Sequence, residues 1–181
     1  DGAVTMADGA VIDAGSGTVD MNANEDVSLS TVTTSNTVDV TSAVGAIVDN
    51  TAAEAANITG STLDLDAVTG IGSGASLDGA GDIEINGILL SAVNSTSGTI
   101  NITEVDNVAL DDLTNTGRPV VLDAGAAITD GNAADAVNIT ASTAERNIAG
   151  PRQPGTRVSR NSDKSSLTQT VVRSPTRSAP E

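Results

Sequence analysis

Residues 50–59 read NTAAEAANIT, and residues 131–140 read GNAADAVNIT. The correspondence is wider than this decapeptide. When each residue from Ser16 to Thr62 is set against the one 81 positions later, with no gap, 19 of 47 pairs are identical. SGTV (16–19) meets SGTI (97–100), Val27 and Leu29 meet Val108 and Leu110, and Ile47 and Asp49 meet Ile128 and Asp130. A register held over that length marks an internal duplication.

The 81-residue unit subdivides. Short alternating runs recur at TVDMNA (18–23), TVDVTS (37–42), NITGSTLDLDA (57–67), DIEIN (82–86) and TINIT (99–103). Cutting before them gives segments 17–35, 36–55, 56–79 and 80–97, followed by 98–116 and 117–136. Within a run, alternate residues face opposite sides of a strand. Val38 and Val40 therefore point one way while Asp39 and Thr41 point the other, and Leu63 and Leu65 oppose Asp64 and Asp66. Gly, Asn, Ser and Asp clusters such as GSG, TSN, NSTSG and TNTG supply turns between runs. AAEAA (52–56) offers at most one helical turn, with no apolar stripe continuing.

Coils of about 18–24 residues with two or three short strands each predict an all-β fold, a parallel right-handed β-helix over residues 1–143. Stacked coils sit about 4.8 Å apart, so roughly seven of them would span roughly 35 Å. Matching side chains in neighbouring coils would make the pattern recur after a whole number of coils. The alternative is two tandem β-sandwich domains, which usually bury a large aromatic.

Composition favours the solenoid. The chain has 181 residues and 38% hydrophobic residues, yet no Phe, Tyr or Trp. A narrow coil interior fills well with Val, Ile, Leu and Ala ladders, whereas a globular core of this size normally draws on aromatics. With no cysteine, neither a disulfide nor thiolate chemistry is available. No apolar run reaches the length of a membrane-spanning helix, so no membrane insertion is expected. The chain starts at Asp1 rather than Met and reads as an excerpt of a longer or processed polypeptide.

Charge divides the chain near Ala144. Residues 1–144 hold 21 acids against the single base Arg118, a net of −20. Residues 145–181 hold seven bases and three acids, a net of +4. The acidic part repels nucleic acid and attracts cations. The alternation breaks after Thr143, and the Pro/Ser/Arg-rich stretch 144–181 is expected to be a disordered tail.

These residues resemble a known class. GSGTVDMNANEDVSLSTVTTSNTVDVTSAVGAIVDN (15–50) and STLDLDAVTGIGSG (61–74) look like repeats of large secreted bacterial proteins related to filamentous haemagglutinin. The resemblance covers about residues 1–143. It implies a right-handed parallel β-helix, export through the bacterial envelope, and service as a surface stalk or adhesin. It carries over no binding residue.

The reactive inventory is carboxylate only: Glu25–Asp26, Asp64/Asp66, Asp82/Glu84, Glu104/Asp106 and Asp111–Asp112. Carboxylates at i and i+2 share one strand face, so stacked coils would gather oxygens for Ca²⁺, which takes six to eight of them. Asp64, Asp66, Asp82 and Glu84 are the candidate ligands. A plain solvated acidic face is the competing reading, and the chain has neither an EF-hand loop nor a calcium-binding nonapeptide.

No residue is assigned a catalytic or cofactor-binding role. A carboxylate pair can hydrolyse glycosides. The solenoid segment 1–143, however, has no His, no Lys, only Arg118 to hold an anionic substrate, and no aromatic for sugar stacking. GIGSGAS (70–76) lacks the lysine of a phosphate-binding loop and reads as a turn, with 70–79 a protruding loop suited to contact a partner. Asn57, Asn94, Asn101 and Asn138 each lie in N-x-[ST], which marks turn or strand positions in a bacterial repeat and glycan acceptors in a eukaryotic secretory protein.

The expected function is therefore a non-enzymatic stalk or adhesin-like segment, secreted or at the bacterial cell surface. A calcium-stabilised matrix or adhesion module is the alternative. Expected partners are neighbouring coils of the parent polypeptide, a surface receptor or glycan, and further copies joined end to end through uncapped strand edges.

Overall fold

The computed structural model describes residues 2–73, 81–132, 138–148 and 167–169. Fourteen strands follow in chain order: β1 (Val4–Thr5), β2 (Val11–Asp13), β3 (Val19–Ala23), β4 (Val27–Leu29), β5 (Thr31–Thr33), β6 (Thr37–Ser42), β7 (Ile47–Asp49), β8 (Ile58–Ala67), β9 (Ile83–Asn94), β10 (Ile100–Glu104), β11 (Val108–Ala124), β12 (Ile128–Asp130), β13 (Ile139–Ile148) and β14 (Leu167–Gln169). There is no helix among the described residues.

Every pairing from β1 to β13 is parallel and joins one coil to the next. On one face β3, β6, β8, β9, β11 and β13 stack in that order, which makes about six coils. This is a β-solenoid. The tandem sandwich does not form, because no pair of facing antiparallel sheets exists among the described residues.

Alternation explains each strand. TVDMN and TVDVTS place Val19, Met21, Val38 and Val40 inward and Asp20 and Asp39 outward. Val19, Val38, Leu63 and Leu90 form one interior ladder, and Ile47, Ile71 and Ile100 another. Nearly all of these are fully buried. Each aliphatic sits on its like in the coil below, so no single side chain need be large.

The second copy does not return after a whole number of coils. Val19 climbs its ladder in three rungs to Leu90, whereas its sequence counterpart Ile100 joins the Ile47–Ile71 ladder on the neighbouring face. Val, Ile and Leu serve equally in any interior ladder, so nothing obliges the duplication to match the helical repeat. The gapless register also slips locally. Met21 pairs with Val40, but its counterpart Ile102 pairs with Leu122 rather than Val121. The extra residue is absorbed at the corner 116–118, where β11 shifts register between Asn115 and Pro119 and Gly117 adopts φ 70°. Coils are also less even than expected, since Leu63 and Leu90 are 27 residues apart.

The expected boundary at Thr143 is crossed by backbone pairing. β13 continues parallel to β11 through Ala124↔Ile148. A strand edge accepts any backbone that reaches it, so pairing outlasts the recognisable repeat. Leu167–Gln169 then pairs antiparallel with Ile139–Ala141, a strand within the stretch expected to be a disordered tail. The rest of that stretch, 149–166 and 170–181, and positions 74–79 of the expected loop lie outside the described residues.

Candidate functional site

The asparagines of the N-x-[ST] triplets turn out to be interior braces. Asn57, Asn94, Asn101 and Asn138 are all nearly or fully buried. Asn57 Nδ2 donates to Asp49 Oδ1 (2.7 Å), and its Oδ1 accepts from the Glu84 backbone N–H (2.9 Å). In the second copy Asn138 Nδ2 donates to Asp130 Oδ1 (3.2 Å) and to Leu110 O (2.8 Å). Asp49 and Asp130 each accept a backbone N–H two residues on, from Thr51 and Asn132. The repeated NIT therefore encodes a corner lock. A side chain so enclosed and engaged is no glycan acceptor in the folded chain.

Other corners repeat the same way. Asp26 Oδ1 accepts the Ala46 N–H (2.8 Å), and Asn107 Oδ1 accepts the Ala127 N–H (3.0 Å). Thr34 Oγ1 donates to Gly17 O, and Asn115 Nδ2 donates to Gly98 O (3.3 Å). The side chains change, but the backbone group they satisfy is the same.

The expected calcium ligands divide into two places. Asp64 and Asp66 lie beyond the corner at Gly60–Ser61, on the outer face of β8. Asp20, Asp39 and Asp64 stack in successive coils. Like charges at this spacing repel, and burial, with Asp64 and Asp20 adding, raises the Asp39 carboxyl above its usual range. Burial likewise raises Asp66, with Asp64, Asp39 and Asp112 adding.

Asp82 and Glu84 lie on the other side of that corner, where the stretch 50–56 brings Glu54 to them. Carboxylate oxygens of Glu54, Asp82 and Glu84 lie within 4.8 Å of one another. Asp82 and Glu84 are 1% and 5% exposed, while Glu54 is exposed. Thr103 Oγ1 donates to Asp82 Oδ2, but Asp82 Oδ1 and Glu84 Oε2 are buried without a hydrogen-bond partner. Burial pushes the Glu84 carboxyl up to about 8, with Asp82 and Asp49 contributing.

Sequence reading therefore found two members of this cluster and missed the third. Glu54 sat in AAEAA, whose weak helical look hid its role, and only the NIT that follows it hinted at a fixed corner.

Glu104 is a further interior acid. It occupies an inward position of β10, paired with Ile85 below and Ala124 above. Its Oε2 accepts the Gly87 N–H (3.0 Å) and its Oε1 the Asp106 N–H (3.2 Å). Burial outweighs these bonds and lifts the carboxyl to about 7. No family model matches the chain, and no curated protein or solved structure resembles it at a significant level.

Proposed function

We propose that the chain is a non-enzymatic structural segment, a stalk or adhesin-like spacer of a secreted or cell-surface bacterial protein. The observation that carries this reading is the stack of interior aliphatic ladders. Stability comes from coil-on-coil contact, so length is set by the number of coils and extension needs no new core. The resemblance of residues 1–143 to filamentous haemagglutinin-like repeats supplies the bacterial surface context. The chemical inventory fits the same reading, since before Arg118 there is neither a basic side chain nor a histidine to hold or activate a substrate.

A spacer must lengthen in proportion to its coils. Inserting a further copy of residues 17–97 adds about three and a half coils, or roughly 17 Å at ~4.8 Å per coil. Small-angle scattering is expected to give that increase in maximum dimension at constant cross-section. A widened cross-section or unchanged length would overturn the reading. Incubation with pectin, alginate and chitin is expected to release no products. Antibody against the chain is expected to label intact producing cells, and labelling only after lysis would remove the surface assignment.

A further inference from the structure

We propose that Glu54, Asp82 and Glu84 form a calcium site in which the 50–56 stretch is tied across β9 by an ion held between one exposed and two buried carboxylates. The first observation is geometric. Ca²⁺–oxygen distances are about 2.3–2.6 Å, so two ligands of one ion are separated by at most about 5 Å. The three carboxylates meet that limit, with oxygens within 4.8 Å. Magnesium demands a stricter octahedron and gives up its waters reluctantly, so an all-protein carboxylate cluster suits it less.

The second observation is independent of the cluster's charge. Asp82 Oδ1 and Glu84 Oε2 are buried acceptors with no donor. Such atoms cost stability unless something satisfies them. No lysine, arginine or histidine precedes Arg118, so the chain supplies no cation of its own in the coils that build the site. An all-oxygen donor set selects a hard cation. Glu54 stands at the solvent edge and provides the way in, and water completes the coordination there. Three carboxylates with one open side place the affinity at about 10⁻⁴–10⁻³ M, the range of extracellular modules.

The ion would stiffen one coil without being needed for the stack. The inference therefore goes beyond the spacer reading, and a rod that ignores calcium would leave that reading intact. The test is thermal melting of the full chain by circular dichroism after EDTA treatment, titrated with CaCl₂ or with MgCl₂ at equal concentration. Calcium is expected to give a saturable rise of about 2–5 °C that magnesium does not match. Calorimetric titration is expected to count one ion per chain.

Glu54→Gln alters only the exposed ligand, keeps the fold, and is expected to weaken binding about tenfold. Glu84→Gln is expected to abolish the calcium response. Asp64→Asn, on the outer acidic ladder, is expected to leave it unchanged. A missing rise, a rise matched by magnesium, or a response lost equally in Asp64→Asn would mean diffuse screening and overturn the site.

Discussion

The Asn57 side chain joins three segments at once: its own strand, the Asp49 corner and the Glu84 backbone of the next coil. Removing it strands a buried N–H and a carboxylate lone pair. Asn57→Ala is expected to cost about 2–3 kcal/mol in denaturant unfolding, more than a hydrogen bond's net worth because its partners stay buried. A cost below half a kcal/mol would show that the brace is idle.

Glu104 makes the opposite kind of prediction. Its unfolded value is near 4.5 and its folded value about 7. Between these, the unfolded chain releases a proton that the folded chain keeps, so raising the pH favours unfolding. In EDTA, stability from this group is highest below about 4.5, falls through neutrality and levels off above about 7. Glu84, raised to about 8, extends the decline in the same direction. Melting is expected to occur at higher temperature at pH 5 than at pH 8, with a shallower slope in Glu104→Gln. A melting point that climbs with pH would contradict the burial of these carboxyls. Alternation in TINITE sets Glu104 on the inward face of Ile102, and in DIEIN it sets Glu84 opposite Ile83 and Ile85; not legible were the backbone N–H groups of Gly87 and Asp106 that receive Glu104, and the 50–56 stretch that brings Glu54 to Glu84.

At the scale of an element, β8 and β9 meet at a tight corner. Gly60 and Gly87 stack there, and Leu63 fills the space beside them. A Cβ on Gly87 would lie 2.7 Å from Leu63 Cδ1. Leu63→Ala is expected to destabilise by about 3 kcal/mol through the cavity it leaves. Gly87→Ala is expected to cost about 1–3 kcal/mol through crowding. The double variant is expected to be clearly more stable than the sum implies, because the first change makes room for the second. Additive losses would place the two residues out of contact.

Strand positions were readable because period-2 alternation fixes which side chains enter the core. The corners were not. A corner is defined by which backbone group a side chain satisfies, and Thr34 and its counterpart Asn115 do the same work with different chemistry. The face assignment of the second copy was also hidden, since interchangeable aliphatics carry no label for the ladder they join.

At the scale of the whole molecule, the ends decide behaviour. Among the described residues β1 pairs only with β4 and β2 only with β5, so the outer edge of the first described coil is unpaired there. The Val11 side chain there is 65% exposed, and its backbone alternates with Ile12, whose groups face β5. A free parallel edge templates another chain unless charge or a bulge blunts it. The far end differs, because Leu167–Gln169 lies antiparallel against Ile139–Ala141 and covers part of that edge. Association is therefore expected to be directional, with the uncovered first coil as the main contact. Light scattering of the full chain at rising concentration is expected to report growth. Val11→Lys, which sets a charge on the open edge, is expected to suppress that growth while leaving melting within about 1 °C. A wild-type chain that stays monomeric at high concentration, or growth untouched by Val11→Lys, would mean that the first coil is not where copies meet.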